Sequence, residues 1–240
     1  MKKVIWSFSL LVMALFLSCR EDDADRFFSG QNDKLIINFS VQDPTSGLAT
    51  RSAIAPEAGE ENVKTLDLFF FESNSTGTGT FKGLKELIAT PENPLVMNTD
   101  MVFDFSDIGL SMTEPYDILI VANMGDNYLP TDGSQTLADW KSVIQRKNYK
   151  EAKAEIQVFM SGTDTNVPEY TTKPLESDAL LMSASLKKGK QDTKLKAVLQ
   201  RAVSRFDIYN LAAGYTIETV SVWNAYPSLF VWNGEPNAFD

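Results

Sequence analysis

The chain has 240 residues, 43% of them hydrophobic and 11% aromatic, enough to pack one large domain or two small ones. Its 32 acidic residues outnumber 22 basic ones, and the formal charge of −10 argues against nucleic acid and anionic lipid surfaces as partners. With no histidine and one cysteine, Cys19, the commonest general base and metal ligand is missing, and no disulfide can close within the chain.

The first segment reads as an export signal. Met1, Lys2 and Lys3 form a positive start, and Val4 to Leu17 form an apolar run too short to span a bilayer easily. Ser18 then sits directly before Cys19. This junction resembles the lipobox of bacterial lipoproteins, in which the signal is cut before the cysteine and the cysteine is acylated with fatty acids such as palmitate. Phe16 departs from it, standing where Leu or Val is commonest. A transmembrane anchor, or an ordinary signal followed by an unrelated cysteine, stays open beside lipidation. On the lipoprotein reading, residues 1–18 are the signal peptide and Cys19 is the site of lipidation. Several acyl chains on one residue would hold the precursor stably at the outer membrane. Losing Lys2 and Lys3 with the signal leaves 20 basic residues against 32 acidic ones, a charge of −12.

Residues 19–33 follow as an acidic tether, with Glu21, Asp22, Asp23 and Asp25 close together. Such a run cannot begin a packed element. It resembles the surface-export signal of Bacteroidota lipoproteins, and a plain flexible linker explains it equally well.

Beyond the tether the pattern is that of a β protein. "KLIINFSVQ" places Leu35, Ile37, Phe39 and Val41 on one face, with Lys34, Asn38, Ser40 and Gln42 opposite, the period of a half-buried strand. Further strands are expected in "VKTLDLFFFE" (63–72), "LKELIAT" (84–90), "MVFDF" (101–105) and "YDILIVANM" (116–124). Later candidates are "EIQVFMSG" (155–162), "ALLMSAS" (179–185), "YTIETVSVWN" (215–224) and "LFVW" (229–232). Short strands between Gly, Pro, Asn and Asp clusters predict a β-sandwich, with "LDLFFF" and "DILIVA" at its centre.

One helix is expected over 134–147, where Leu137, Trp140, Val143 and Ile144 recur at helical spacing and Asp132 or Ser134 caps the start. A second segment is ambiguous. "LKAVLQRAVSRFDIYN" sets Leu195, Val198, Leu199, Ala202, Val203 and Phe206 on one helical stripe, yet its β-branched residues also allow a bulged strand.

Several motifs fail on spacing. "GTGTFKG" misses the dinucleotide fingerprint by one residue and reads as a loop between two strands. "DNYLPTDG" lacks the ligand spacing of an EF-hand. Trp140, Trp223 and Trp232 fit packing better than a sugar-stacking platform. No constellation suited to catalysis is present, so the chain reads as a non-enzyme with no catalytic residue, metal or cofactor.

Three stretches occur in a telling order: "ATRSAIAPEAGEENVKTLDLFFFE", "YDILIVANMGD" and "LMSASLKKGKQDTKLKAVLQRAVSRFDIYN". After a lipobox, this order resembles the fimbrillins of Bacteroidales, lipoprotein precursors of major and minor fimbrial subunits. The likeness covers about 35–235. It implies a mainly β fold, a transthyretin-like β-sandwich of about seven strands with one or two short helices, over residues 52–240. It favours strand over helix for 195–209. It also implies that residues 34–51 form a removable N-terminal strand segment, cut between Arg51 and Ser52 by an arginine-specific surface protease. Family members usually continue into a second β-sandwich, so the sequence ending at Asp240 is expected to be a fragment lacking a C-terminal domain, with a short, single-domain relative as the alternative.

Two functions from different classes then compete. One is a structural subunit of a surface fimbrium, polymerised with other fimbrial subunits by donor-strand exchange and supporting adhesion to a host protein or glycan. The other is a surface-anchored binding lipoprotein, or a fimbrial anchor or assembly protein that never polymerises. A removable first strand favours the subunit; an exposed row of aromatics on one face favours the binding protein.

Overall fold

The structure is a computed structural model of the whole chain, which describes residues 33–42, 62–130, 133–159, 179–202, 214–216 and 228–232. Among these residues it is mainly β, as the alternating patterns predict. The strands are β1 (Lys34–Val41), β2 (Thr65–Glu72), β3 (Phe81–Ile88), β4 (Asp100–Asp104), β5 (Tyr116–Ala122), β6 (Gln157–Phe159), β7 (Met182–Lys188), β8 (Lys194–Arg201) and β9 (Ser228–Phe230). Two short helices, α1 (Leu137–Gln145) and α2 (Tyr149–Glu155), lie between β5 and β6.

Seven strands form one sheet in the order β3-β2-β5-β7-β8-β1-β4, and β6 pairs with β9 in a second, two-stranded sheet. The large sheet curls, so that β8, β1 and β4 lie across an apolar core from β2 and β5. That core joins Leu35, Ile37 and Phe39 of β1, Phe103 of β4 and Ala197 and Leu199 of β8 to Leu66, Leu68, Phe70, Ile118 and Ile120. A second core covers the opposite face of β2 and β5, where Phe69, Phe71, Leu119 and Val121 meet Trp140 and Ile144 of α1 and Ala152 of α2. Strands buried on both faces need continuous apolar runs, which is why "LDLFFF" and "DILIVA" do not alternate.

Local chemistry explains the helix ends. Thr136, rather than Asp132 or Ser134, caps α1, accepting from the Asp139 amide while the Asp139 carboxylate accepts from the Thr136 amide. Asn148 and Glu151 repeat this reciprocal cap on α2, a helix the apolar pattern did not signal. Lys141 ties α1 to the sheet through the carboxylates of Asp67 on β2 and Glu86 on β3. Burial raises the Asp67 carboxyl above its usual range even with Lys141 2.8 Å away. Burial also pulls down the Lys141 ammonium, but the hydrogen bonds to Asp67 and Glu86 outweigh it and leave it raised.

The ambiguous segment resolves as strand. Residues 194–201 form β8, so its helical stripe is overruled, and 203–210 lie outside the described residues. Of the strand expected at 155–162, Gln157–Phe159 is strand and 160–162 lie outside the described residues, as does most of the one expected at 215–224. Of "GTGTFKG", Gly77 to Thr80 fall in the β2–β3 connection, as its loop reading expects, while Phe81 to Gly83 already belong to β3. Gly79 is needed there because a Cβ would fall 1.5 Å from the Glu72 carbonyl oxygen.

Candidate functional site

The first strand occupies the interior of the large sheet. On one side β1 pairs antiparallel with β4, from Lys34↔Asp104 to Asn38↔Asp100. On the other it pairs parallel with β8, from Ile36↔Lys194 to Val41↔Leu199. Leu35, Ile37 and Phe39 are fully buried, while Val41, expected with them, is half-buried. Burying three such side chains contributes roughly 5–9 kcal/mol before the entropy of ordering the strand is set against it. Leu35 lies beside Phe103, Ile37 lies between Met101 and Leu195, and Phe39 lies beside Ala197. The rings of Phe39 and Phe103 also meet edge-on at 6.1 Å.

The outward face of β1 carries Lys34, Ile36, Asn38 and Ser40 and is lightly held. Asn38 Nδ2 donates to Asp100 Oδ1 at 3.0 Å, and Lys194 Nζ reaches Asp100 Oδ2 at 2.6 Å, joining β8 to β4 over the strand between them. The hydrogen bond from Lys194, then that from Asn38, holds the Asp100 carboxyl below its usual range. These groups are exposed, so the pair contributes little to stability.

Both ends of β1 are fastened through backbone groups. The Phe105 amide donates to the Asp33 carbonyl at one end; the Asn98 amide donates to the Phe39 carbonyl, and Gln42 to Leu199, at the other. The pairings Val41↔Leu199, Met182↔Arg201, Ala122↔Met182 and Leu66↔Ala122 place the end of β1 and the start of β2 at the same end of the sandwich. Gln42 and Asn62, the described residues that flank 43–61, therefore lie at one pole.

Asn123 holds the start of β2. It adopts φ +61°, a left-handed conformation that asparagine tolerates better than most residues. Its Oδ1 accepts from the Lys64 amide at 2.7 Å and the Thr65 amide at 3.4 Å, and its Nδ2 donates to the carbonyls of Asn62 and Leu180, each at 2.8 Å. The strand pattern expected at 116–124 includes Asn123, whereas β5 ends at Ala122. An asparagine directly after an apolar run was the available signal.

A second group went unsignalled. Lys188, at the end of β7, is fully buried. Its Nζ donates to the carbonyls of Met112 at 2.6 Å, Gly189 at 3.0 Å and Glu114 at 3.1 Å, and lies over the rings of Phe105 and Tyr116. Burial pulls the ammonium below the usual lysine range, against the opposing pull of Asp192 and Glu114. In "SLKKGK" the sequence gives no sign that one of three lysines turns inward.

Trp140 packs in the second core and donates to the Gln157 carbonyl, and Trp232 packs edge-on against Phe69 and donates to the Ile120 carbonyl. Both serve packing, as expected; Trp223 lies outside the described residues. So do Cys19, Arg51 and Ser52. Among the described residues no three His, Cys, Asp or Glu side chains cluster in a way that could hold a metal ion.

No family model and no curated protein matches the chain. Two solved structures from Parabacteroides distasonis are similar to it at low identity. One, provisionally named for cell adhesion, is 15% identical with a TM-score of 0.36, over 68% of this chain and 38% of that one. The other is named a fimbrial assembly protein and is 10% identical with a TM-score of 0.45, over 82% of this chain and 64% of that one. This chain thus spans less than two thirds of either neighbour's length.

Proposed function

We propose that this chain is a structural subunit of a bacterial surface fimbrium, made as a lipoprotein precursor and activated by removal of its first strand. The observation that carries the reading is the placement of β1. The first of the described strands fills an interior slot of the sheet, and its end lies at the same pole as the start of β2. A cut after Arg51 would then detach β1 from the chain while leaving the β2–β5 pairing intact. What remains is an apolar groove edged by the unpaired backbone groups of β4 and β8, which invites another strand. A donor strand from the next subunit restores the ladder and gives head-to-tail growth, supporting adhesion at the cell surface.

On this reading Cys19 anchors the precursor in the outer membrane, an arginine-specific surface protease acts at Arg51–Ser52, and the partners are other fimbrial subunits. The protein is not an enzyme and uses no cofactor. The test is to cut the purified precursor after Arg51 and follow its size by light scattering and electron microscopy. Filaments that form only after the cut support the reading. Cut material that stays monomeric while the intact chain holds a ligand points instead to a binding or anchor lipoprotein.

A further inference from the structure

The row of side chains that β8 places on the core face beside β1 alternates in bulk. Leu195, Ala197 and Leu199 stand beside Ile37, Phe39 and Val41 in turn. The one small residue of β8 in that row thus faces the largest inward side chain of β1, and Phe39 is completely buried there. On the other flank the β4 pairing ends at Asn38↔Asp100, and the chain turns so that the Asn98 amide caps the Phe39 carbonyl at 2.6 Å.

Register follows from this fit. A slip of two residues either way sets Phe39 beside Leu195 or Leu199, where two large side chains compete for one space. A slip of one residue turns Asn38 and Ser40 into the core and the whole apolar set out to water. Leu35 sits beside Phe103 and Ile37 between Met101 and Leu195, whereas Phe39 has small Ala197 at its side and meets Phe103 edge-on at 6.1 Å.

We infer that the pocket beside Ala197 decides which strand the groove between β4 and β8 accepts. Its occupant is an extended segment of another subunit that runs parallel to β8 and carries large apolar side chains at three alternate positions, the third of them aromatic. This rests on the reading of β1 as a replaceable strand, and adds the chemistry of what replaces it.

The experiment has two arms. In the intact chain, Phe39→Ala, Ala197→Leu and the double variant are compared by urea denaturation, with Ala197→Val as a milder partner should the leucine variant fail to fold. Each single change is expected to lower the folded-to-unfolded ratio, and the double variant to recover at least about 10-fold over the product of the two losses. In the second arm, a chain cut at a protease site inserted within 43–61 is challenged with the labelled peptide KLIINFSV and its alanine variants. Capture of the parent peptide is expected. The variant lacking the phenyl ring should bind about 100-fold more weakly, a larger loss than for alanine at the Leu35 or Ile37 position, and one with Trp there should stay within about 10-fold.

An additive cycle, or equal losses for all three alanine peptides, overturns the pocket even where the parent peptide is captured. A coupled cycle with no peptide captured overturns strand replacement instead, and with it the inferred occupant, leaving the pocket as a register device for β1 alone.

Discussion

Lys188 places its ammonium 2.6 Å from the carbonyl oxygen of Met112, joining the end of β7 to the connection between β4 and β5. Two more carbonyls and two aromatic faces complete the cage, so a cation is held chiefly by dipoles and ring faces. Lys188→Met keeps most of the volume but leaves three carbonyls without their donor. It should cost about 1–3 kcal/mol at neutral pH, measured by urea denaturation.

The same cage sets a pH dependence. Because burial lowers the folded-state pKa of Lys188 below its unfolded value near 10.4, the unfolded chain binds more protons between the two values. The contribution of Lys188 to stability therefore rises with pH through that window. Relative to Lys188→Met, the parent chain should gain stability between pH 7 and pH 10.5. A constant difference between the two proteins would show that the ammonium is not desolvated.

Asn123 combines a positive φ with four side-chain hydrogen bonds, and two substitutions separate these effects. Asn123→Gly accepts the backbone conformation and loses only the hydrogen bonds, for an expected cost of about 2–3 kcal/mol. Asn123→Ala adds the strain of a left-handed alanine, about 1 kcal/mol more. Thermal melts of the two variants check the order; equal midpoints would mean that the conformation contributes nothing.

Ile36 and Ile37 are neighbours on opposite faces of β1. Ile37→Lys buries an unpaired charge in the main core and should cost at least about 4 kcal/mol or expel the strand, while Ile36→Lys should stay within about 1 kcal/mol. Hydrogen exchange of the β1 amides reads the difference directly. If the strand is the plug that holds the precursor monomeric, Ile37→Lys should also assemble without any cut, and Ile36→Lys should not.

For processing, the mature protein in surface material should begin at Ser52, and Arg51→Ala should leave a longer form. A start at Cys19 would mark an uncleaved anchor. Metabolic labelling with a fatty acid should mark the parent chain and not Cys19→Ala, and equal label in both would remove the lipid anchor from the reading.

Much of the β architecture is written locally. Alternation marks Leu35, Ile37 and Phe39 as one buried face, and the unbroken run of β2 marks a strand covered on both sides, because side-chain period and burial are properties of a few successive residues. Residues 194–201 show the limit of such reasoning. Leu195, Val198 and Leu199 suit a helical stripe, yet hydrogen bonding to β7 and β1 imposes a period of two, which leaves Val198 43% exposed while Ala197 and Leu199 go inward. Tertiary structure alone decides that β1 runs parallel to β8, a strand more than 150 residues away, since no local pattern records which distant edge a strand will meet. It alone turns Lys188 inward and sets Asn123 over the start of β2, because a polar side chain is buried only where folding brings carbonyls and amides within its reach.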